Sequence, residues 1–141
     1  MGRKFGFLLI SLLLTSCDPT IEVEKRKYEY SEVLDKHINY DEVFLMPQDE
    51  YYLYYYQVSC YHCHGIKSNV IYFALTSSTP VYFIEITEDK GFKATTKEET
   101  IGTNDYLWAF SKMTPQLSLV KSGYISETYL GQEEILNVIE S

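Results

Sequence analysis

The chain has 141 residues and a formal net charge of −8, from 12 Lys and Arg against 20 Asp and Glu. That length allows one domain with a short appendage. The acidic balance argues against a nucleic-acid partner and against electrostatic attraction to an anionic membrane surface.

The first residues are MGRKFGFLLISLLLTSC. Arg3 and Lys4 precede an apolar run from Phe5 to Leu14, broken only by Gly6 and Ser11. This is the order of a secretory signal, with an apolar core too short for a comfortable membrane span. Leu14-Thr15-Ser16-Cys17 resembles a bacterial lipobox, which implies a diacylated Cys17 as the mature N-terminus and stable anchoring by lipid. An ordinary cleaved signal with an incidental Cys17 is the plainer alternative. Removing residues 1–16 from the 141 leaves 125 residues and a net charge of −10. The expected location is the extracytoplasmic face of the cell membrane, where disulfides are permitted. Of the three cysteines, Cys60 and Cys63 then remain to pair, bind or react.

Residues 17–38 are mixed in charge with few apolar positions, so they read as a tether, with a short helix starting near Ser31. His37 falls in that tether and is expected to be exposed and inert. The domain proper is expected over residues 39–141. Tyr51 to Gln57, YYLYYYQ, is rich in strand formers and apolar on both faces, as a strand buried on both sides would be. CYHCH, residues 60–64, follows at once. Over residues 63–75, Ile66, Val70, Phe73 and Ala74 share one face of a helix, with Gly65 as a weak point. The C-x-x-C pair therefore lies at a strand-to-helix junction.

TSSTP, residues 76–80, is a loop, and Val81 to Ile86 is a second apolar strand. A helix between two such strands makes them parallel. Residues 87–103 read as a polar surface loop, and Asn104 or Asp105 as the cap of a short helix through Phe110. Thr114-Pro115 opens a strand, QLSLVK. Ser122-Gly123 turns it into a hairpin with YISETYL. Gly131 breaks the strand, and residues 132–140 form a last helix with Glu133 and Glu134 at its positive end. The fold class is α/β, a central mixed sheet flanked by helices.

In this arrangement the chain resembles the thioredoxin superfamily over residues 39–141. C-x-x-C lies between an aromatic strand and a helix, Met113-Thr114-Pro115 precedes a hairpin, and a Gly and short helix close the domain. The resemblance implies thiol–disulfide exchange, with Thr114, a cis Pro115 and Tyr61 at the substrate side. It implies no cofactor. Its partners would be a cysteine-containing exported protein or a membrane redox partner, met by a lipid-anchored monomer. The chain departs from the family pattern at three places. Ser59 stands where Trp is usual, and Tyr61-His62 stands where thioredoxins carry Gly-Pro, closer to the oxidase and isomerase branches. Tyr54 stands where thioredoxins carry a buried acid.

The chemistry of the pair follows from its position. Residues three apart in a first helical turn bring their side chains together. A Cys at a helix N-terminus faces free backbone N–H groups and the positive dipole end, which stabilise a thiolate. Cys60 is expected to be the nucleophile, with a lowered pKa tuned by His62, and Cys63 the resolving thiol. C-x-x-C-H also matches a c-type haem attachment, with His64 and Met113 as axial ligands. A zinc site from Cys60, His62, Cys63 and His64 is crowded for a tetrahedron. A scaffold that binds partners without catalysis, its Cys pair vestigial, is the remaining alternative.

Overall fold

β1 (Glu50–Tyr56) lies in the middle of a four-stranded sheet of order β2-β1-β3-β4. The computed structural model describes residues 26–141. β1 pairs in parallel with β2 (Val81–Glu85) and antiparallel with β3 (Gln116–Lys121), which turns back into β4 (Tyr124–Leu130). Gly123, at φ 83°, supplies the left-handed residue that the tight turn needs.

Successive side chains of β1 point to opposite sides of the sheet, and both sides are covered. Tyr54 and Tyr56 enter one core cluster with Phe83, Ile66, Val70, Ile71 and Ile135. Tyr51, Leu53 and Tyr55 enter the other, with Val43, Ile84, Phe92, Phe110 and Ile125. The two-faced apolar reading of YYLYYYQ thus describes a central strand. The first cluster is roofed by α1 (Tyr61–Thr76), which crosses from β1 to β2, and by α3 (Gly131–Ile139). The second is closed by the segments 38–46 and 86–110, so the helices that cover the sheet concentrate on one face.

Gly65, the weak point expected in α1, sits where α3 comes close. A Cβ there would lie 2.0 Å from Nε2 of Gln132. Two elements differ from the sequence reading. The helix expected from residue 104 to Phe110 is a series of turns, begun by Asp105, whose carboxylate accepts from the Leu107 N–H at 2.9 Å. One helical turn, α2 (Lys97–Thr100), falls instead inside the stretch read as a surface loop, with the Thr96 side chain capping it through the Glu99 N–H.

The expected tether also ends earlier than residue 38. A 3-10 helix over Tyr30–Lys36 docks on α1 and β2. Tyr28 and Val33 are buried in the first core cluster. His37 is not an inert surface residue. Its Nδ1–H donates to the Val33 carbonyl at 2.9 Å, its Nε2 accepts from the Tyr56 hydroxyl at 2.7 Å, and its ring stacks on Phe83 at 5.4 Å. The chain from Tyr28 onward therefore belongs to the domain. The expected signal, Cys17 and the first part of the expected tether lie outside the described residues.

Candidate active site

The sheet ends at Tyr56, and four residues later Cys60 caps α1. Its backbone is extended at φ −78° and ψ 118°, and its N–H donates to the Gln57 carbonyl at 3.2 Å. Because α1 begins immediately after it, the Cys60 sulfur meets N–H groups that have no partner inside the helix. The Cys63 N–H donates to Cys60 Sγ at 3.1 Å. A cysteine thus occupies the capping position that Ser or Asp usually fills.

The peptide bond between Thr114 and Pro115 is cis. This loop faces the sulfur: the Cys60 thiol donates to the Thr114 carbonyl at 3.5 Å, across 54 residues of sequence. Thr114 Oγ1 donates to Gln57 Oε1 at 3.4 Å, and the Gly131 N–H donates to the Pro115 carbonyl at 3.0 Å. The loop is braced beneath by a buried polar network. Gln116 Oε1 accepts from the Ser111 N–H and hydroxyl, and its Nε2 donates to the Ala109 carbonyl and Ser118. Ser118 and Thr100 both bond Thr128, at 3.0 and 2.7 Å. Each member is satisfied, as a buried network must be to hold one geometry. Sequence reading passed over it, because isolated Ser, Thr and Gln residues give no periodic signal.

The two thiols differ sharply. Cys63 is 1% exposed and belongs to the first core cluster, whereas Cys60 is partly exposed. Partial burial pushes the Cys60 thiol up. Hydrogen bonds from the Cys63 and Thr114 side chains and from the Cys63 and His62 backbone N–H groups outweigh it, and its pKa falls below the ordinary thiol value. Burial, together with the hydrogen bond to Cys60, pushes Cys63 up to about 11. The pair is thus split into a thiolate former and a protonated partner.

Cys60, Cys63, Thr114 and Pro115 come together as one site. Tyr61 and His62 follow Cys60 in the first turn of α1. Tyr61 is 84% exposed, and Val58 and Met113 are exposed too. The His62 ring turns to α3, where its Nδ1 lies 3.3 Å from Gln132 Oε1. His62 therefore touches Cys60 through its backbone N–H. Tyr54, in place of the expected acid, is fully buried, and burial holds its phenol protonated.

The haem arrangement does not fit this geometry. Both sulfurs and His64 would have to face one porphyrin, and Cys63 points into the core while His64 is exposed. Among the described residues no cluster of His, Cys, Asp and Glu is placed to hold a metal ion.

A mixed sheet, a helix opened by C-x-x-C between two parallel strands, and a cis-proline loop against the first Cys define a thioredoxin-like α/β fold. Solved structures share it. Mitochondrial thioredoxin 3 of Saccharomyces cerevisiae, in its oxidised form, superposes with a TM-score of 0.51 at 12% identity, over 74% of this chain and 92% of that one. A mutant thioredoxin of Halobacterium salinarum NRC-1 gives 0.50 at 18% identity, over 75% of this chain and 89% of that one. Plasmodium falciparum thioredoxin gives 0.50 at 17% identity, over 74% and 96%. No protein-family model and no curated protein matches the sequence.

Proposed function

We propose that this protein performs thiol–disulfide exchange through Cys60 and Cys63, held by lipid on Cys17 at the extracytoplasmic face of the membrane. The observation that carries the reading is the asymmetry of the pair. Cys60 caps the helix beside the cis-Pro115 loop with its pKa lowered, and Cys63 is buried behind it with its pKa raised. The Cys60 thiolate attacks one sulfur of a partner disulfide. A mixed disulfide forms, and the other partner sulfur leaves with the electron pair. Cys63 then loses its proton and attacks Cys60, which closes the intramolecular disulfide and releases the second partner sulfur. The reverse sequence oxidises a partner dithiol. A stabilised thiolate favours the reduced state, so the Cys60–Cys63 disulfide is expected to be an oxidising one. The partner class is a cysteine-containing exported protein or a membrane redox protein.

Cys60→Ser tests the reading. Exchange with a protein disulfide should disappear, with the fold intact by circular dichroism. Retained exchange would sink the proposal. A second reading, partner binding without catalysis, draws on the exposed Val58, Tyr61 and Met113 near the sulfur. It predicts that Cys60→Ser leaves function untouched. The intact mass of protein purified from its own membrane checks the lipid on Cys17.

A further inference from the structure

Two phenol hydroxyls are buried on the core side of the Cys pair without a conventional partner. Tyr54, from the centre of β1, is 0% exposed. Tyr30 arrives from the 3-10 helix and stacks on Tyr56, with ring centroids 3.9 Å apart and planes 14° apart. Tyr54 also lies nearly parallel to Tyr56, with ring centroids 5.9 Å apart and planes 14° apart. The hydroxyls of Tyr30 and Tyr54 are both buried, and neither makes a hydrogen bond of normal geometry. An unsatisfied buried hydroxyl is costly, and a Phe at either position would avoid that cost. Tyr54 shares one core cluster with Cys63, Tyr30 packs against that cluster, and after burial the charges of each other and of the two thiols are among the influences that push both phenols up.

The other groups around Cys63 leave a chemical task open. From its own helix comes Cys60, from β1 come Tyr54 and Tyr56, from the 3-10 helix comes Tyr30, and α3 adds apolar Ile135. The interactions that bear most on the Cys63 thiol come from burial, Cys60, Gln57 and Thr114, none of them a carboxylate. Yet this buried sulfur must become an anion during resolution.

We propose that the hydroxyls of Tyr54 and Tyr30 are positioning donors that stabilise the Cys63 sulfur as it gains charge and attacks the mixed disulfide. The inference rests on the exchange reading above. In the step, Cys63 S–H gives up its proton and a bond forms between Cys63 Sγ and Cys60 Sγ. The bond from Cys60 to the partner sulfur breaks, and the electron pair and finally the proton pass to the departing partner thiol. Atoms and charge balance with no further reagent. The phenols stay protonated throughout, since burial holds them far above the ordinary tyrosine range. They act as neutral donors to an anion, and a hydrogen bond to a charged group is the stronger kind.

The test uses the reduced full-length protein and a nitroaryl disulfide whose released thiolate absorbs visible light. A first release reports attack by Cys60, and a second reports resolution by Cys63. Tyr54→Phe and Tyr30→Phe should leave the first release unchanged. They should slow the second by about tenfold at neutral pH, moving its pH midpoint up by about one unit. Tyr55→Phe, which removes a buried unpartnered hydroxyl from the opposite cluster, should change neither release. A merely structural role would not move the pH midpoint of the second release alone. A normal first release with an unchanged second release in both variants and in the double variant would overturn the inference. No first release from the wild type would instead sink the exchange reading on which it depends.

Discussion

Oε1 of Gln132, in the first turn of α3, lies 3.3 Å from Nδ1 of His62, in the first turn of α1. The contact exists because Gly65, one turn further along α1, leaves room for the Gln132 side chain. Gly65→Ala would place a Cβ 2.0 Å from Gln132 Nε2, the far end of a flexible side chain. That end can swing away, and Ala gains up to about 1 kcal/mol over Gly in a helix interior. The expected result is unchanged or slightly raised stability in denaturant unfolding, with the His62 ring signals shifted in NMR spectra. A loss of more than about 1 kcal/mol would mean that Gln132 cannot move aside.

Cys63→Ala removes one of the donors that hold the Cys60 thiolate but keeps the backbone N–H at 3.1 Å. The Cys60 pKa should rise toward the ordinary thiol value of about 8.5 while remaining below it. Thiolate is the reactive species, so below its pKa alkylation slows as pH falls, and the variant should react more slowly than wild type at pH near 7. Thiolate absorbance titrated against pH measures the shift; an unmoved midpoint contradicts it. Cys63 itself imposes the opposite dependence on folding. Its folded pKa is raised to about 11. Its contribution to stability is therefore complete below the unfolded thiol value and is lost as pH rises through that window. The reduced wild type should lose more stability between about pH 8.5 and 11 than Cys63→Ala does.

His37→Ala would leave the Tyr56 hydroxyl without its acceptor and remove the ring stacked on Phe83. The expected loss is about 1–3 kcal/mol, from a stranded buried hydroxyl and lost aromatic packing. Urea unfolding measures it. A change within about 0.5 kcal/mol would place His37 among ordinary surface residues after all.

The parts of the fold legible in the sequence were those with strong local grammar. YYLYYYQ announced a strand buried on both faces, Ser122-Gly123 a hairpin, and the apolar spacing after Cys63 a helix. The same grammar located the site, because C-x-x-C and Thr114-Pro115 sit at element junctions. It failed where long-range contacts decide. Tyr28 and Val33 are two apolar residues in a charged stretch, too few to show a period, and only their docking on α1 makes them core. His37 looked inert for the same reason. Residues 105–109 make turns where a helix is expected, although Asp105 still accepts from the Leu107 N–H as a cap would. The direction of the His62 ring is likewise set at long range. Spacing put it beside Cys60, but Gln132, 70 residues away, draws its ring elsewhere.

β1 is hydrogen-bonded along both edges and covered on both faces. No partial opening can free its amides without dismantling both core clusters. Amide hydrogens in Leu53, Tyr54 and Tyr55 should therefore exchange with solvent only through global unfolding, as the slowest in the molecule. Cys60 sits just beyond this strand, so its sulfur stands at the edge of the most persistent part of the chain. The backbone that aims the nucleophile should keep its place up to the temperature at which the whole domain melts.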